Sequence, residues 1–82
     1  MRLVMYSTLT CGQCRFVKPI LQELYPAVEV VTLNESSPEI ETLQITTVPF
    51  IVAYDVFGGV IKTIGAGSKA TLKAFLEEVK FI

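Results

Sequence analysis

The chain has 82 residues, 51% of them apolar, and its seven basic and eight acidic side chains leave a net charge of −1. This length predicts a single domain over residues 1–82, with enough apolar residues for a core. The absence of a basic cluster argues against nucleic acid or membrane partners, and no apolar run approaches the roughly 18 residues of a membrane span. Histidine, the commonest general base and metal ligand at neutral pH, is absent from the sequence. The apolar run near the N-terminus is too short for a signal peptide, so we expect a mature, cytoplasmic protein. We expect no cofactor.

The first half of the chain is predicted to form a strand, a helix and a second strand. Residues 2–6 form an apolar run typical of a strand that is buried on both faces. From Cys11 to Tyr25 the apolar residues recur with helical spacing. The face that this spacing buries consists of Phe16, Val17, Ile20, Leu21 and Leu24. Pro19 lies inside the helix and removes one backbone hydrogen bond, so a kink is expected. A valine-rich strand follows over residues 28–33.

A short helix and a hairpin are predicted next. Ser37-Pro38 combines an N-cap residue with a proline suited to the first helical turn, which predicts a helix over residues 38–43. Two further strands are predicted over residues 50–54 and 60–64. Gly58-Gly59 between them suits a tight turn, so the two strands should be antiparallel.

Ser68 is expected to cap a final helix. The apolar face of that helix comprises Leu72, Phe75, Leu76 and Val79. The resulting order of elements is β-α-β-α-β-β-α. Because a helix joins the first two strands, those strands should be parallel, with a right-handed crossover.

The only cysteines of the chain, Cys11 and Cys14, lie three positions apart at the start of the first predicted helix. Thiols at this spacing can close a disulfide, and a helix N-terminus stabilises a thiolate. In a reducing cytosol the pair favours dithiol–disulfide exchange, while a structural disulfide stays an alternative. An alternative of another class is a non-catalytic metal site, because two chains would supply four thiolates for zinc or an iron–sulfur cluster.

Three segments of the chain resemble the thioredoxin superfamily. They are residues 11–21, which match the active-site helix with its internal Pro19, the Val48-Pro49 pair, and residues 64–69 before the last helix. The resemblance covers nearly the whole chain, and some segments are more similar to glutaredoxins. It implies an α/β thioredoxin fold, with a four-stranded mixed sheet in the order 2-1-3-4 and the last strand antiparallel. The first and third helices are expected on one face and the short helix on the other.

The helix position and the resemblance assign roles to the site residues. Cys11 is expected to attack the substrate disulfide, and Cys14 to resolve the mixed disulfide. Pro49 is expected to be cis and to place the Val48 backbone beside the dithiol, where an extended substrate can pair with it. The expected substrate-binding residues are Thr10, Gly12, Gln13, Val48, Pro49, Gly65 and Ala66. A shallow peptide-docking surface is expected from Leu9, Val48, Phe50, Gly65 and Ala66.

These features predict a monomeric protein-disulfide reductase that acts as an electron carrier. Its partners would be disulfide-containing proteins, with thioredoxin reductase or glutathione as the electron donor. A glutathione-linked glutaredoxin is one alternative. A reductant for ribonucleotide reductase is another, because Gln13 before the second cysteine resembles the small redoxins that serve that enzyme.

The sequence also departs from the family pattern. Met5 and Thr32 stand where thioredoxins keep a buried Asp and its Lys partner. Thr8 and Ser68-Lys69 stand where glutaredoxins hold glutathione with a Lys before the motif and with acidic residues after the last glycine loop. The first departure leaves the proton acceptor for Cys14 unassigned, and the second favours protein substrates over glutathione.

Overall fold

The computed structural model describes residues 1–80, and the elements follow one another in the predicted order. They are β1 (Arg2–Ser7), α1 (Cys14–Leu24), β2 (Glu29–Thr32), α2 (Glu39–Thr42), β3 (Phe50–Tyr54), β4 (Val60–Ile64) and α3 (Lys69–Lys80). The bounds of β3 and β4 equal the predicted ones. The last two residues of the predicted domain lie outside the described part. Within that part, the longest helix has 12 residues, too few to cross a membrane.

The four strands form one mixed sheet in the order β2-β1-β3-β4, as predicted. β1 and β2 are parallel, and β4 is antiparallel to β3. β3 also runs antiparallel to β1, with Tyr6 opposite Phe50. The strand that opposes the other three is therefore β3, and not the last strand that the sequence had suggested. The connection from β2 to β3, residues 33–49, starts and ends at the edge of the sheet where β1 finishes, so the chain enters β3 at that end.

One face of the sheet is covered by α1 and α3, which together bury the larger core cluster. Its buried members are Leu3, Met5, Cys14, Val17, Leu21, Ile51, Ala53, Leu72, Phe75, Leu76 and Val79. All four residues predicted to form the apolar face of α3 are buried, which confirms that prediction. The placement of Phe16 on the buried face of α1 was wrong, since its side chain is 74% exposed. Phe16 lies about 100° around the helix from Val17, beyond the buried stripe.

The other face is covered by α2, as predicted, and buries a smaller cluster. Its buried members are Val4, Tyr6, Leu33, Ile45 and Val52. Ile40 and Leu43, from α2 and its C-cap, pack against this cluster while partly exposed. The apolar face of such a short helix is too small to close the surface completely, so part of this side of the sheet stays accessible.

Two helices begin differently from the prediction. α1 starts at Cys14 and not at Cys11. The Cys11 N–H closes the turn of residues 8–11 by donating to the Thr8 carbonyl at 3.3 Å, and Gly12 and Gln13 form a second turn before the helix. α2 starts at Glu39, with Pro38 at the N-cap position and no side-chain capping bond. The hydroxyl of Ser37, the predicted N-cap, instead accepts a hydrogen bond from the Asn34 N–H at 2.9 Å. At α3 the predicted cap is confirmed, since the Ser68 hydroxyl accepts from the Thr71 N–H at 3.3 Å.

The β3–β4 hairpin is antiparallel, as predicted, but its loop is longer than a two-residue turn. The Asp55 carboxylate accepts hydrogen bonds from the Phe57 and Gly59 N–H groups at 2.8 and 2.9 Å. Gly58 has a φ of 84°, a left-handed conformation that favours glycine. Asp55 and Gly58 together therefore fix the turn.

Candidate redox site

Cys11 and Cys14 form a disulfide immediately before and at the start of α1. Their Cα atoms are 5.4 Å apart, within the usual range for a disulfide. Cys14 belongs to the larger core cluster and is buried, whereas Cys11 is half-buried and its neighbours Gly12 and Gln13 are exposed. A substrate therefore reaches the sulfur of Cys11 before that of Cys14.

The backbone at the start of α1 is directed at the sulfur of Cys11. The Cys14 N–H donates a hydrogen bond to Cys11 Sγ, with an N···S distance of 3.1 Å. The first N–H groups of a helix have no partner within the helix and carry partial positive charge. After reduction the same donor would be in place to stabilise a thiolate at Cys11.

The sheet topology brings two further loops to the same end as the disulfide. β1 finishes there, β3 begins there with Phe50 opposite Tyr6, and β4 finishes there with Ile64 opposite Ile51. The loop before β3 and the loop after β4 are therefore neighbours of the cysteine loop. These three loops carry all the predicted substrate-binding residues, which are Thr10, Gly12, Gln13, Val48, Pro49, Gly65 and Ala66.

The Val48–Pro49 peptide bond is cis, which confirms the predicted conformation. Pro49 is buried, and Val48 packs partly exposed against both core clusters. Gly65 lies next to this loop: a Cβ atom added there would be 3.8 Å from the Pro49 carbonyl oxygen. The structure thus brings Val48, Pro49 and Gly65 together. Their contact with a substrate stays a prediction.

An open cavity of about 560 Å³ lies on the α2 side of the disulfide. Its apolar lining consists of Leu9, Leu33, Ile40, Ile45 and Val48. Its polar lining consists of Thr8, Thr10, Asn34, Glu35, Thr46 and Thr47. Of the predicted docking surface, Leu9 and Val48 line the cavity, whereas Phe50 packs against the smaller core cluster. Gly65 and Ala66 lie outside its lining.

Sequence reasoning missed the contribution of residues 33–35 and 45–46 to this cavity. Leu33 is the last residue of an apolar run, and Asn34 and Glu35 look like ordinary loop residues. Only the parallel pairing of β2 with β1 places the end of β2 beside the loop that leads to Cys11, since Ser7 lies opposite Thr32. The available signal was therefore topological, namely that neighbouring parallel strands finish at the same edge of a sheet.

The surroundings of Cys14 are apolar. Met5, at the position where thioredoxins keep a buried Asp, is fully buried in the same cluster as Cys14. The other buried members of that cluster are hydrocarbon side chains, and among the side chains of residues 1–79 the buried polar one is that of Ser7. The cluster therefore supplies no carboxylate that could accept the proton of Cys14. The described residues also contain no group of three or more His, Cys, Asp or Glu side chains that could share a metal ion.

A tyrosine pair occupies the α2 side of the sheet. The hydroxyl oxygens of Tyr6 and Tyr54 are 2.8 Å apart. Burial, and then this hydrogen bond, raise the pKa of Tyr6 above its usual range. At the edge of the sheet, the hydrogen bond from Arg2 lowers the pKa of the Glu29 carboxyl and raises that of the guanidinium. Tyr6 itself is a buried core residue and lies outside the lining of the cavity.

No protein-family model matches the chain, and no curated protein matches it in sequence. Solved structures do match. The thioredoxin Mala s 13 of Malassezia sympodialis has a TM-score of 0.77 at 19% identity, over 93% of this chain and 71% of that one. Oxidised thioredoxin of Plasmodium falciparum has a TM-score of 0.73 at 23% identity, over 94% and 78%. Thioredoxin O2 of Arabidopsis thaliana, also oxidised, has a TM-score of 0.68 at 22% identity, over 95% and 73%. The chain therefore has the thioredoxin fold.

Proposed function

We propose that this protein is a thiol–disulfide oxidoreductase that reduces the disulfides of protein substrates and acts as an electron carrier. The observation that carries the proposal is the unequal placement of the two cysteines. Cys11 is half-buried and accepts the Cys14 N–H at the start of α1, whereas Cys14 is buried behind it. Such an arrangement supplies one attacking and one resolving thiol.

The exchange proceeds in two steps. The Cys11 thiolate attacks one sulfur of the substrate disulfide, so that a mixed disulfide forms and the other substrate sulfur leaves as a thiolate that takes a proton from water. Cys14 then loses its proton to water, and its sulfur attacks Cys11 Sγ. The mixed disulfide breaks, the second substrate thiolate leaves and is protonated, and the Cys11–Cys14 disulfide forms. Two electrons have passed to the substrate, and an external reductant restores the dithiol.

The loops around the disulfide support an extended substrate. The backbone of Val48 would pair with a substrate segment beside Cys11, in the manner of strand addition. Gly65, with no side chain, leaves room for that segment beside Pro49. Thr10, Gly12 and Ala66 would complete the contact, as the sequence predicts.

A thioredoxin reductase that uses NADPH is the electron donor that we favour over glutathione. Glutathione carries two carboxylates, and the described lining of the cavity beside the cysteine loop contains no cation to pair with them. Ribonucleotide reductase belongs among the candidate substrates, because its regeneration requires the same two-electron transfer from a dithiol. The proposed setting is a reducing cytosol.

Reduction of insulin disulfides tests this function, with thioredoxin reductase plus NADPH or with glutathione as the reductant. We expect turnover with the reductase and little with glutathione. Rapid reduction of glutathione mixed disulfides, with little insulin reduction, would instead identify a glutaredoxin. Stoichiometric zinc, or a charge-transfer band in protein purified without air, would identify a metal-binding module and overturn the redox proposal.

A further inference from the structure

We infer, on the basis of the proposed function, that the cavity beside Cys11 selects the substrate. The preferred substrate is a protein disulfide whose cysteine is flanked by an apolar side chain and by a lysine or arginine. The cavity is lined by Leu9 and Thr10 from the cysteine loop, by Val48 from the cis-proline loop, and by Glu35 from the loop after β2. Thr10 directly precedes Cys11 and Val48 directly precedes Pro49, so the lining includes the chain neighbours of both site residues.

The shape and the lining of the cavity fit an apolar side chain. Its volume of about 560 Å³ falls in the range of pockets that hold small ligands, roughly 300–1,000 Å³. Ile45 and Leu33 form a buried floor, and Leu9 stands 88% exposed at the rim. An apolar side chain beside the reacting cysteine would cover Leu9 and remove both surfaces from water.

The charge in the lining of the cavity is negative. Among the side chains that the structure describes, those of residues 1–79, Glu35 is the only ionised one in the lining, and its carboxylate forms no ion pair with the others. The basic residues that follow the cysteine motif, Arg15 and Lys18, belong to α1 and do not line the cavity. A cation on the substrate would therefore meet a complementary partner, whereas a carboxylate would meet a like charge.

The loop that carries Glu35 is held in place. The Asn34 side-chain oxygen accepts the Ser36 N–H at 2.8 Å, and the Asn34 N–H donates to the Ser37 hydroxyl at 2.9 Å. These bonds close the loop around Glu35 on both sides. The backbone that carries Glu35 is thus held beside the cavity.

Blocked peptide disulfides provide the test. Symmetric disulfides of Lys-Leu-Cys-Leu-Lys, Glu-Leu-Cys-Leu-Glu and Lys-Ser-Cys-Ser-Lys vary charge and apolarity separately, and kcat/KM is measured for each. We expect the lysine–leucine peptide to exceed the glutamate peptide by about three-fold or more, as a single exposed charge pair allows. The serine peptide should be slower than the lysine–leucine peptide, and oxidised glutathione should be the slowest.

Variants assign the preference to the cavity. Glu35→Lys should reverse the ratio of kcat/KM between the lysine–leucine and glutamate peptides, and Glu35→Gln should bring it close to one. Each ratio is taken within one variant, so a change in the reactivity of the dithiol cancels. Glu77→Lys makes the same charge change on an exposed position of α3, on the other face of the sheet, and should leave the ratio as in the parent. Leu9→Ser should reduce the advantage of leucine over serine.

Hydroxyethyl disulfide, which has no charge or side chain, distinguishes a failure of the proposed function from a failure of the proposed substrate selection. If the parent reduces neither this compound nor any peptide, the proposed function fails. If the parent reduces hydroxyethyl disulfide but treats the peptides alike, or if Glu35→Lys and Glu77→Lys change the ratio equally, the cavity does not select the substrate and the oxidoreductase function stands.

Discussion

The two faces of the central sheet differ in how completely they are covered. On one face, α1 and α3 bury eleven side chains of the described residues, among them Cys14. On the other face, the four-residue α2 helps to bury five, and an open cavity lies beside the cluster. Both faces share β1 and β3, whose residues alternate between them, so the difference comes from the helices and not from the sheet.

Because of this difference, the disulfide has a packed core on one side and an open cavity on the other. The face covered by α1 and α3, here called the thick face, holds Cys14 in a packed core, where a buried side chain has few alternative positions. The face covered by α2, here called the thin face, has an open cavity beside the cysteine loop. Val48 packs against both clusters and so lies at the boundary. Separate substitutions can therefore change the chemistry, the core and the substrate contacts.

Replacement of the cysteines should have the largest effect. Cys11→Ser should reduce insulin reduction to the uncatalysed rate, because a serine hydroxyl is not ionised at neutral pH and cannot replace the thiolate. Cys14→Ser should accumulate a mixed disulfide with the substrate, visible by mass spectrometry of the intact adduct. Circular dichroism confirms that both variants are folded. Normal turnover by Cys14→Ser would show that the two-thiol mechanism is wrong.

The same Leu→Ala change on the two faces should measure the difference between them. Leu21 is fully buried against the thick face, so Leu21→Ala should lower the free energy of unfolding by about 2–5 kcal/mol. Leu43 is only partly buried on the thin face, so Leu43→Ala should cost less than about 2 kcal/mol. Urea unfolding of the oxidised proteins compares the two. Equal losses would show that α2 supports the fold as much as α1 does.

Tyr6→Phe should lower the free energy of unfolding at neutral pH and make it less sensitive to alkaline pH. Loss of the hydrogen bond with Tyr54 should lower the free energy of unfolding by about 1 kcal/mol at pH 7. In the unfolded chain a tyrosine ionises near pH 10, whereas burial raises the pKa of Tyr6 in the folded chain. Between about pH 10 and the higher pKa of Tyr6 in the folded chain, the unfolded state binds fewer protons than the folded state, so the free energy of unfolding falls as the pH rises.

The variant lacks this ionisation, so its free energy of unfolding should fall less steeply above pH 10. Urea unfolding at neutral pH and at several values above pH 10 measures both effects. An equally steep alkaline fall in the variant and the parent would show that Tyr6 does not cause it.

Two glycine substitutions should have opposite effects on stability and on activity. Gly65→Ala adds a methyl group at ordinary contact distance from the Pro49 carbonyl, so the free energy of unfolding should change by less than about 0.5 kcal/mol. Gly58→Ala places a side chain at a φ of 84° and should cost about 1 kcal/mol or more. The effects on activity should be reversed, because Gly65 lies beside the predicted path of the substrate. Unchanged peptide reduction by Gly65→Ala would remove Gly65 from the substrate contacts.

Much of the fold was predictable because local signals agreed with the final packing. The spacing of Leu72, Phe75, Leu76 and Val79 predicted the buried face of α3, and the cysteine motif predicted the start of a helix nearby. The direction of β3 depends on the path that residues 33–49 take between β2 and β3. The exposure of Phe16 depends on which side of α1 a neighbouring element covers. Local sequence does not contain either fact. The same reason explains why Glu35 was missed as a residue of the site.

The hairpin between β3 and β4 lies at the end of the sheet opposite to the disulfide, because β3 starts beside the cysteine loop and runs away from it. Its tip, with Val56 and Phe57 exposed, is separated from Cys11 by the length of a strand, roughly 17 Å. A tether attached at the tip would hold the protein on an electrode with its dithiol directed towards the solution. Voltammetry of such a layer would give the reduction potential of the Cys11–Cys14 pair without any protein partner.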